Sequence, residues 1–164
     1  MIFCLTQERH FLEIHAVWTM HPDGTMADAV FNQHMKAPYG LRDTPICSVL
    51  LTNGDIDHIA GLLTMREKQR FDLITTSDIA EVLAANPIFN ALDPDFVTRR
   101  VVGLEAPFDL APGVTATLFA APGKVPLFME GDHGSDAVAT DVMGEQTVGV
   151  EISDGAKTFF YIPG

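Results

Sequence analysis

The chain has 164 residues, a hydrophobic fraction of 47% and a net charge of −12 at pH 7. This length and apolar content suffice for one domain with its own core, and they exclude a wholly disordered chain. The sequence pI near 4.6 argues against nucleic acids and anionic membrane surfaces as partners.

The beginning of the chain gives the weakest pattern. Partial alternation of apolar residues predicts a strand over 11–18, and Pro, Asp and Gly predict a turn over 21–26. A short helix is predicted over 26–35. The run PICSVLLT, residues 45–52, is continuously apolar, which is typical of a strand buried on both faces. The segment IAGLLTMRE, residues 59–67, predicts a helix.

A second helix is predicted after a short strand with the sequence FDLITT. This helix covers residues 79–92, with Ser77 or Asp78 as its N-terminal cap and Pro87 perturbing its middle. The sequence therefore alternates strands and helices through its central part.

The remainder of the chain predicts strands. Two of them cover 97–104 and 114–123, and two more flank Asp154-Gly155, a dipeptide that favours a tight two-residue hairpin turn. Together with the helices before them, these strands indicate the α/β class, with a sheet covered by helices.

The polar segment TNGDIDH directly follows the most apolar strand. Ligands of such sheets lie in loops after the carboxyl ends of strands. Asp55 and Asp57 alternate along this loop, so both carboxylates can point the same way, and with His58 they form a ligand set that suits Fe(II), Mn(II) or Zn(II). The alternative is structural: Asp57 caps the next helix and His58 packs beside it. Residue types alone leave both interpretations open.

The stretch VLLTNGDIDHIAGLL resembles the H-x-H-x-D-H metal motif of the metallo-β-lactamase superfamily. Asp57 and His58 match its last two positions, whereas Asn53 and Asp55 replace its first two histidines. Lys124, in APGK, replaces a further ligand histidine of that superfamily. A lysine does not ligate a metal but can bind a carboxylate. These replacements argue against a two-zinc hydrolase.

Three stretches in combination are similar to the coenzyme PQQ (pyrroloquinoline quinone) synthesis protein B family: GLRDTPICSVLLTNGDIDHIAGLLTMRE, VTATLFAAPGKVPLF and TFFYIPG. The resemblance implies a metallo-β-lactamase-like αββα fold. It also implies either an iron-dependent oxygenase that hydroxylates the tyrosine ring of a Glu–Tyr-derived precursor, or a protein that binds or carries PQQ or its precursor.

The resemblance further implies roles for single residues. Asp57 and His58 would be catalytic and would ligate the metal, with Asp55 as a third ligand or a neighbouring group. Lys124 would bind the substrate. The implied metal is Fe(II), with Zn(II) or Mn(II) as alternatives. No P-loop or GxGxxG motif indicates a nucleotide cofactor. A homodimer is a further expectation.

The sequence also departs from that family. Residues 1–37 match nothing in it, and the sequence ends at YIPG, before the second half of the fold. We therefore expect an unmatched segment 1–37 and a partial, incomplete αββα domain 38–164, and an inactive fragment is a further alternative.

Other features suggest location and minor roles. Cys4 and Cys47 are too few for a disulfide framework, and the chain has no secretory signal pattern and no membrane-spanning apolar run, so we expect a cytoplasmic protein. Arg99 and Arg100 are expected to be charges at a strand edge rather than an anion site. We expect the remaining histidines to be scattered surface residues or part of a solvated acidic loop: His10, His15, His21, His34 and His133.

Overall fold

The computed structural model describes residues 2–8, 11–17, 46–111, 113–123 and 143–162. Strands in these ranges form two sheets. Their bounds are β1 (Ile2–Glu8), β2 (Phe11–Val17), β3 (Ile46–Leu51), β4 (Phe71–Thr75), β5 (Val97–Val101), β6 (Phe108–Ala111), β7 (Val114–Ala120), β8 (Val148–Ser153) and β9 (Thr158–Tyr161).

The first sheet has the strand order β2-β1-β3-β4-β5. Strands β3, β4 and β5 are parallel, whereas β1 pairs antiparallel with both β2 and β3. Helical segments form the parallel crossovers, as parallel strands require. They are α1 (Ile56–Ile59), a first 3₁₀ helix (Ala60–Met65), α2 (Ser77–Ala85) and a second 3₁₀ helix (Pro87–Ala91).

Strand β3 is buried on both faces, as its continuous apolar run predicted. Val49 and Leu51 pack in one core with residues of the helical segments, including Leu62 and Val82. Leu50 points the other way, into the core shared with the second sheet. All three β3 side chains have a relative exposure of 0%.

The second sheet is antiparallel, with the order β6-β7-β8-β9. Alternate residues of β7 and β8, among them Leu118 and Val150, pack against Leu50 and Ile74 of the first sheet. The described residues thus form three layers, helices on a sheet on a second sheet. This arrangement confirms the predicted α/β class and the incomplete αββα architecture.

The two helices predicted over 59–67 and 79–92 occur, with different details. The first begins at Ile56 and continues as the first 3₁₀ helix from Ala60, so it is not one regular helix over 59–67. The cap of α2 is Thr76, whose Oγ1 accepts the Ile79 N–H at 3.4 Å, so the prediction of Ser77 or Asp78 was wrong. Pro87 starts the second 3₁₀ helix at its first turn, which explains the break after α2.

The β8–β9 hairpin is confirmed, but its turn is longer than the two residues predicted. Ser153 pairs with Thr158, which leaves four turn residues, and Gly155 takes a φ of +84°. Strands β1 and β6 had not been predicted. The predicted turn over 21–26 and helix over 26–35 lie outside the described residues.

Arg99 and Arg100 lie on β5, at an edge of the first sheet, as predicted. Arg100 Nη1 lies 3.3 Å from Asp72 Oδ2 on β4 and also donates to the Asp109 carbonyl on β6, so it links the two sheets. No described helix is long and apolar enough to cross a membrane.

Candidate metal site

The loop after β3 turns directly into α1. Asp55 occupies the N-cap position in an extended conformation, with no side-chain cap hydrogen bond, and Asp57 lies in the first helical turn. The two carboxylates therefore do not alternate along an extended loop, and that expectation was wrong. The structural alternative was also misplaced by two residues, because Asp55 rather than Asp57 stands at the cap.

Asp57 and His58 lie close together at the start of α1. The imidazole Nε2 is 3.8 Å from Asp57 Oδ2, with the His58 side chain 25% exposed and the Asp57 side chain 60% exposed. Burial lowers the pKa of His58 from its ordinary 6.5, and the carboxylates of Asp57 and Asp55 oppose that shift. The neutral imidazole that burial favours is the form that ligates metals.

Asn53 connects the end of β3 to His58. Its side-chain Oδ1 contacts His58 Nδ1 and also accepts the backbone N–H of Asp55 at 3.3 Å. Asn53 is only 6% exposed, so water competes little for these bonds. Asn53, at the first position of the superfamily motif, therefore contacts His58, at the last position of that motif.

Gly54 allows the loop to approach α2. A Cβ atom at this position would lie 3.1 Å from Val82 Cγ2, a tight contact that would require the valine side chain to shift by a few tenths of an ångström. Val82 is buried in the core under α2. The glycine thus lets the loop that precedes Asp55 pack directly on the helix.

Thr147 joins this loop to the turn after β7. It forms a bridge with Asn53, and its carbonyl accepts the Ala121 N–H at 3.0 Å. A Cβ atom at Gly123 would overlap the Thr147 side chain, so the turn needs a glycine there. The stretches TNGDIDH and APG, both singled out from their sequence, therefore lie at one end of the two sheets. Lys124 itself lies outside the described residues.

The contacts of Asn53 and Thr147 were not predicted from the sequence. In the sequence, Asn53 stood out only as the replacement of a motif histidine. An asparagine that precedes a helix start by a few residues can nevertheless reach the ring of a histidine in the first turn, as Asn53 reaches His58. Thr147 carries no local signal, because its contacts depend on strands far apart in sequence.

The donor chemistry of Asp57 and His58 fits a divalent metal, with one carboxylate oxygen and one imidazole nitrogen facing each other. Within the part of the chain that the structure describes, no group of three His, Cys, Asp or Glu side chains is arranged to hold a metal. The structure therefore brings Asp57 and His58 together but does not add Asp55 to them. The ligand roles of all three residues stay predictions.

Comparisons with known proteins agree with this fold. The family described as "Beta-lactamase superfamily domain" matches residues 16–164. Coenzyme PQQ synthesis protein B of Ruegeria pomeroyi is 61% identical over 127 residues, which are 77% of this chain and 42% of that protein. The protein of the same name from Rhizobium meliloti is 46% identical over 127 residues, 77% of this chain and 41% of that protein.

A solved structure is similar as well. The crystal structure of Zn(2+)-bound PqqB from Methylobacterium extorquens matches with a TM-score of 0.75 and 42% sequence identity. The match covers 87% of this chain and 46% of that one. The chain spans about two fifths of the length of the curated relatives that it matches.

Proposed function

We propose a function for this chain from the premise that it belongs to the metallo-β-lactamase superfamily and, within it, to the coenzyme PQQ synthesis protein B family. We propose that it takes part in PQQ synthesis by hydroxylating the tyrosine ring of a Glu–Tyr-derived precursor at a metal held by Asp57 and His58. The observation that carries this proposal is the 3.8 Å approach of His58 Nε2 to Asp57 Oδ2 at the carboxyl end of β3.

We propose Fe(II) as the metal of the reaction. The relative from Methylobacterium extorquens was crystallised with zinc, which supports a divalent-metal site in this fold. Zn(II) has no redox chemistry of its own, whereas imidazole and carboxylate ligands with open positions suit Fe(II) oxygenases. A bound Fe(II) would supply the one-electron chemistry that O₂ activation needs. Zn(II) would instead suit a site without oxygen chemistry, and Mn(II) is the other alternative metal.

The overall reaction defines what the chain's own residues must do. One atom of O₂ enters a ring C–H bond and the other leaves as water, with two electrons and two protons from an external reductant. The neutral imidazole of His58 and the carboxylate of Asp57 would hold the metal, and Asp55 at the N-cap of α1 would be a further ligand or neighbour. The exposure of Asp57 leaves room for the precursor to approach.

We propose that Lys124 binds a carboxylate of the precursor. The turn 121–123 that precedes it is held beside Asn53 through Thr147, at the same end of the sheets as Asp57. A lysine pairs with a carboxylate as a point charge without needing a fixed orientation. We further propose a cytoplasmic protein without a nucleic-acid partner. Residues 38–164 would be its family-like domain, and residues 1–37 would be an N-terminal segment that adds β1 and β2 to the first sheet of that domain.

Oxygen uptake tests the proposal. The purified chain, loaded anaerobically with Fe(II) and given a Glu–Tyr dipeptide and a reductant, is expected to consume O₂ above the level without dipeptide. His58→Ala and Asp57→Ala should abolish this increase, whereas Glu81→Ala, which removes an exposed carboxylate on α2, should keep it. The Methylobacterium extorquens protein is measured in parallel, and uptake by that protein alone would favour an inactive fragment.

A second function, binding or transport of PQQ or its precursor without chemistry, is favoured by the placement of the turn that leads to Lys124. PQQ carries carboxylates that a lysine can pair with. Tight PQQ binding that survives both Asp57→Ala and His58→Ala, without O₂ uptake, would support this function. Loss of binding in those variants would instead favour the metal site.

A further inference from the structure

The contacts of Asn53 determine which of its side-chain atoms faces His58. The backbone N–H of Asp55 can only donate, and it points at Asn53 Oδ1 at 3.3 Å. The atom at this position is therefore the amide oxygen, an acceptor. The same oxygen contacts His58 Nδ1.

An imidazole nitrogen that contacts an acceptor must carry a proton. A neutral imidazole has one N–H and one lone pair, so a proton on Nδ1 leaves the lone pair on Nε2. Asn53 is 6% exposed and His58 is half-buried, so water does not readily replace this bond. The contact consequently fixes both the tautomer and the rotation of the ring.

The geometry around Nε2 suits a shared ion. Its 3.8 Å separation from Asp57 Oδ2 is longer than a hydrogen bond. It is also shorter than the ~4.2 Å that two metal–ligand bonds of ~2.1 Å can span. Both atoms can therefore bind one metal with little movement.

We propose that Asn53 is a positioning residue that holds His58 in the Nδ1–H form and thereby presents Nε2 to the metal. This inference rests on the metal site proposed above. At a position where the superfamily has a ligand histidine, the asparagine thus orients a ligand instead of being one. Groups that orient metal-bound histidines in this way typically contribute 10- to 100-fold to metal affinity.

Nitrogen NMR of the metal-free chain tests the tautomer directly. At about pH 8, above the ordinary imidazole pKa of ~6.5, long-range proton–nitrogen spectra are expected to show a protonated Nδ1 and an unprotonated Nε2 for His58. Asn53→Ala should shift the ring toward the Nε2–H form. Asn53→Asp keeps an acceptor oxygen and should keep the wild-type tautomer. The matched control is Asn86→Ala, which removes a hydrogen bond to the Val82 carbonyl at the end of α2 and should leave His58 unchanged.

Zn(II) titration calorimetry of the same proteins provides the second measurement. We expect Asn53→Ala to bind Zn(II) about 10- to 100-fold more weakly, and Asn53→Asp and Asn86→Ala to stay within about threefold of the wild type. A wild-type His58 in the Nε2–H form overturns the inference, even if no alanine variant folds. The expected tautomer without Zn(II) binding by any of the proteins would support the orientation of the ring by Asn53 and overturn the metal site itself.

Discussion

Gly123 is the residue whose size most directly determines how the two loops of the candidate site meet. A Cβ atom there would overlap the Thr147 side chain, and Thr147 is buried between the turn after β7 and Asn53. We expect Gly123→Ala to lower the free energy of unfolding by about 1–3 kcal/mol, the usual cost of overpacking, in urea denaturation. The control is Gly103→Ala, where a new Cβ meets nothing within 4 Å. Equal stability of the two variants would contradict the close packing at Gly123.

Asp154 gives the hairpin turn a specific dependence on pH. Its Oδ1 accepts the backbone N–H groups of Lys157 at 2.6 Å and Ala156 at 2.9 Å, and these bonds lower the pKa of Asp154 from its ordinary 3.8. A pKa that is lower in the folded state stabilises the fold above the unfolded-state value, and this contribution disappears as the pH falls through the folded-state pKa.

The comparison of wild type with Asp154→Asn isolates this contribution from the other carboxylates. We expect the wild type to have the higher urea midpoint at about pH 7, and the difference to shrink as the pH is lowered below the ordinary aspartate pKa of 3.8. A difference that does not change with pH would show that the charge of Asp154 contributes nothing to the turn.

Single residues of the site were only partly predictable from the sequence. The position of Asp57 and His58 directly after β3 followed from the apolar run and the polar segment behind it. Their relative geometry did not, because the extended loop assumed for Asp55 and Asp57 is a helix start. The bridge between Asn53 and Thr147 joins residues far apart in the chain, which no local pattern reports.

At the scale of elements, Thr76 connects α2 to the segment before β8 by a hydrogen bond. Its Oγ1 accepts the Ile79 N–H and donates to the Glu145 carbonyl at 2.6 Å, and the residue is fully buried. We expect Thr76→Ala to cost about 1–2 kcal/mol in the free energy of unfolding, since it removes a helix cap and a long-range hydrogen bond. Ser77→Ala, at the exposed next position, should change stability by less than about 0.5 kcal/mol. A larger loss of stability in Ser77→Ala than in Thr76→Ala would indicate that Ser77 is the cap of α2.

Elements with strong local signals were predicted, and so was β2 from partial alternation, whereas β1 and β6 were not. The apolar run of β3 is short and bounded by Pro45 and Asn53-Gly54, which favours a buried strand, and Asp154-Gly155 is a strong hairpin signal. Strand β6 has four residues, lies close to two prolines and contains Asp109, so its sequence resembles a loop. The strand is stabilised by its pairing with β7 and by the burial of its Leu110 side chain in the core between the two sheets, rather than by its local sequence. The cap of α2 was misplaced because Thr76, Ser77 and Asp78 are all good capping residues.

At the scale of the whole molecule, three packed layers leave the outer side of the second sheet without a helical layer from the described residues. Phe119 and Phe160 lie there with ring centroids 6.4 Å apart. Gly149 on β8 accommodates the Phe119 ring, because a Cβ at that position would overlap it. The contacts of Phe119 therefore cover part of the apolar surface on this face, whereas apolar side chains at β9 stay exposed to solvent.

The β9 edge is where the molecule as a whole is expected to associate. Phe159, Phe160 and Ile162 are 48%, 58% and 62% exposed, and β9 is an edge strand of its sheet within the described part of the chain. Exposed apolar edge strands pair with other chains, and a lysine on the edge prevents this pairing.

Sedimentation velocity tests whether the chain associates at the β9 edge. We expect the wild type to associate in a concentration-dependent way, which includes the homodimer expected from the sequence. Phe160→Lys should shift the chain toward the monomer. Ile88→Lys, at a 59% exposed position on the second 3₁₀ helix, is the control and should associate like the wild type. Association that responds equally to both substitutions would reflect general apolar exposure rather than pairing at β9, and a wild type that stays monomeric would refute the prediction.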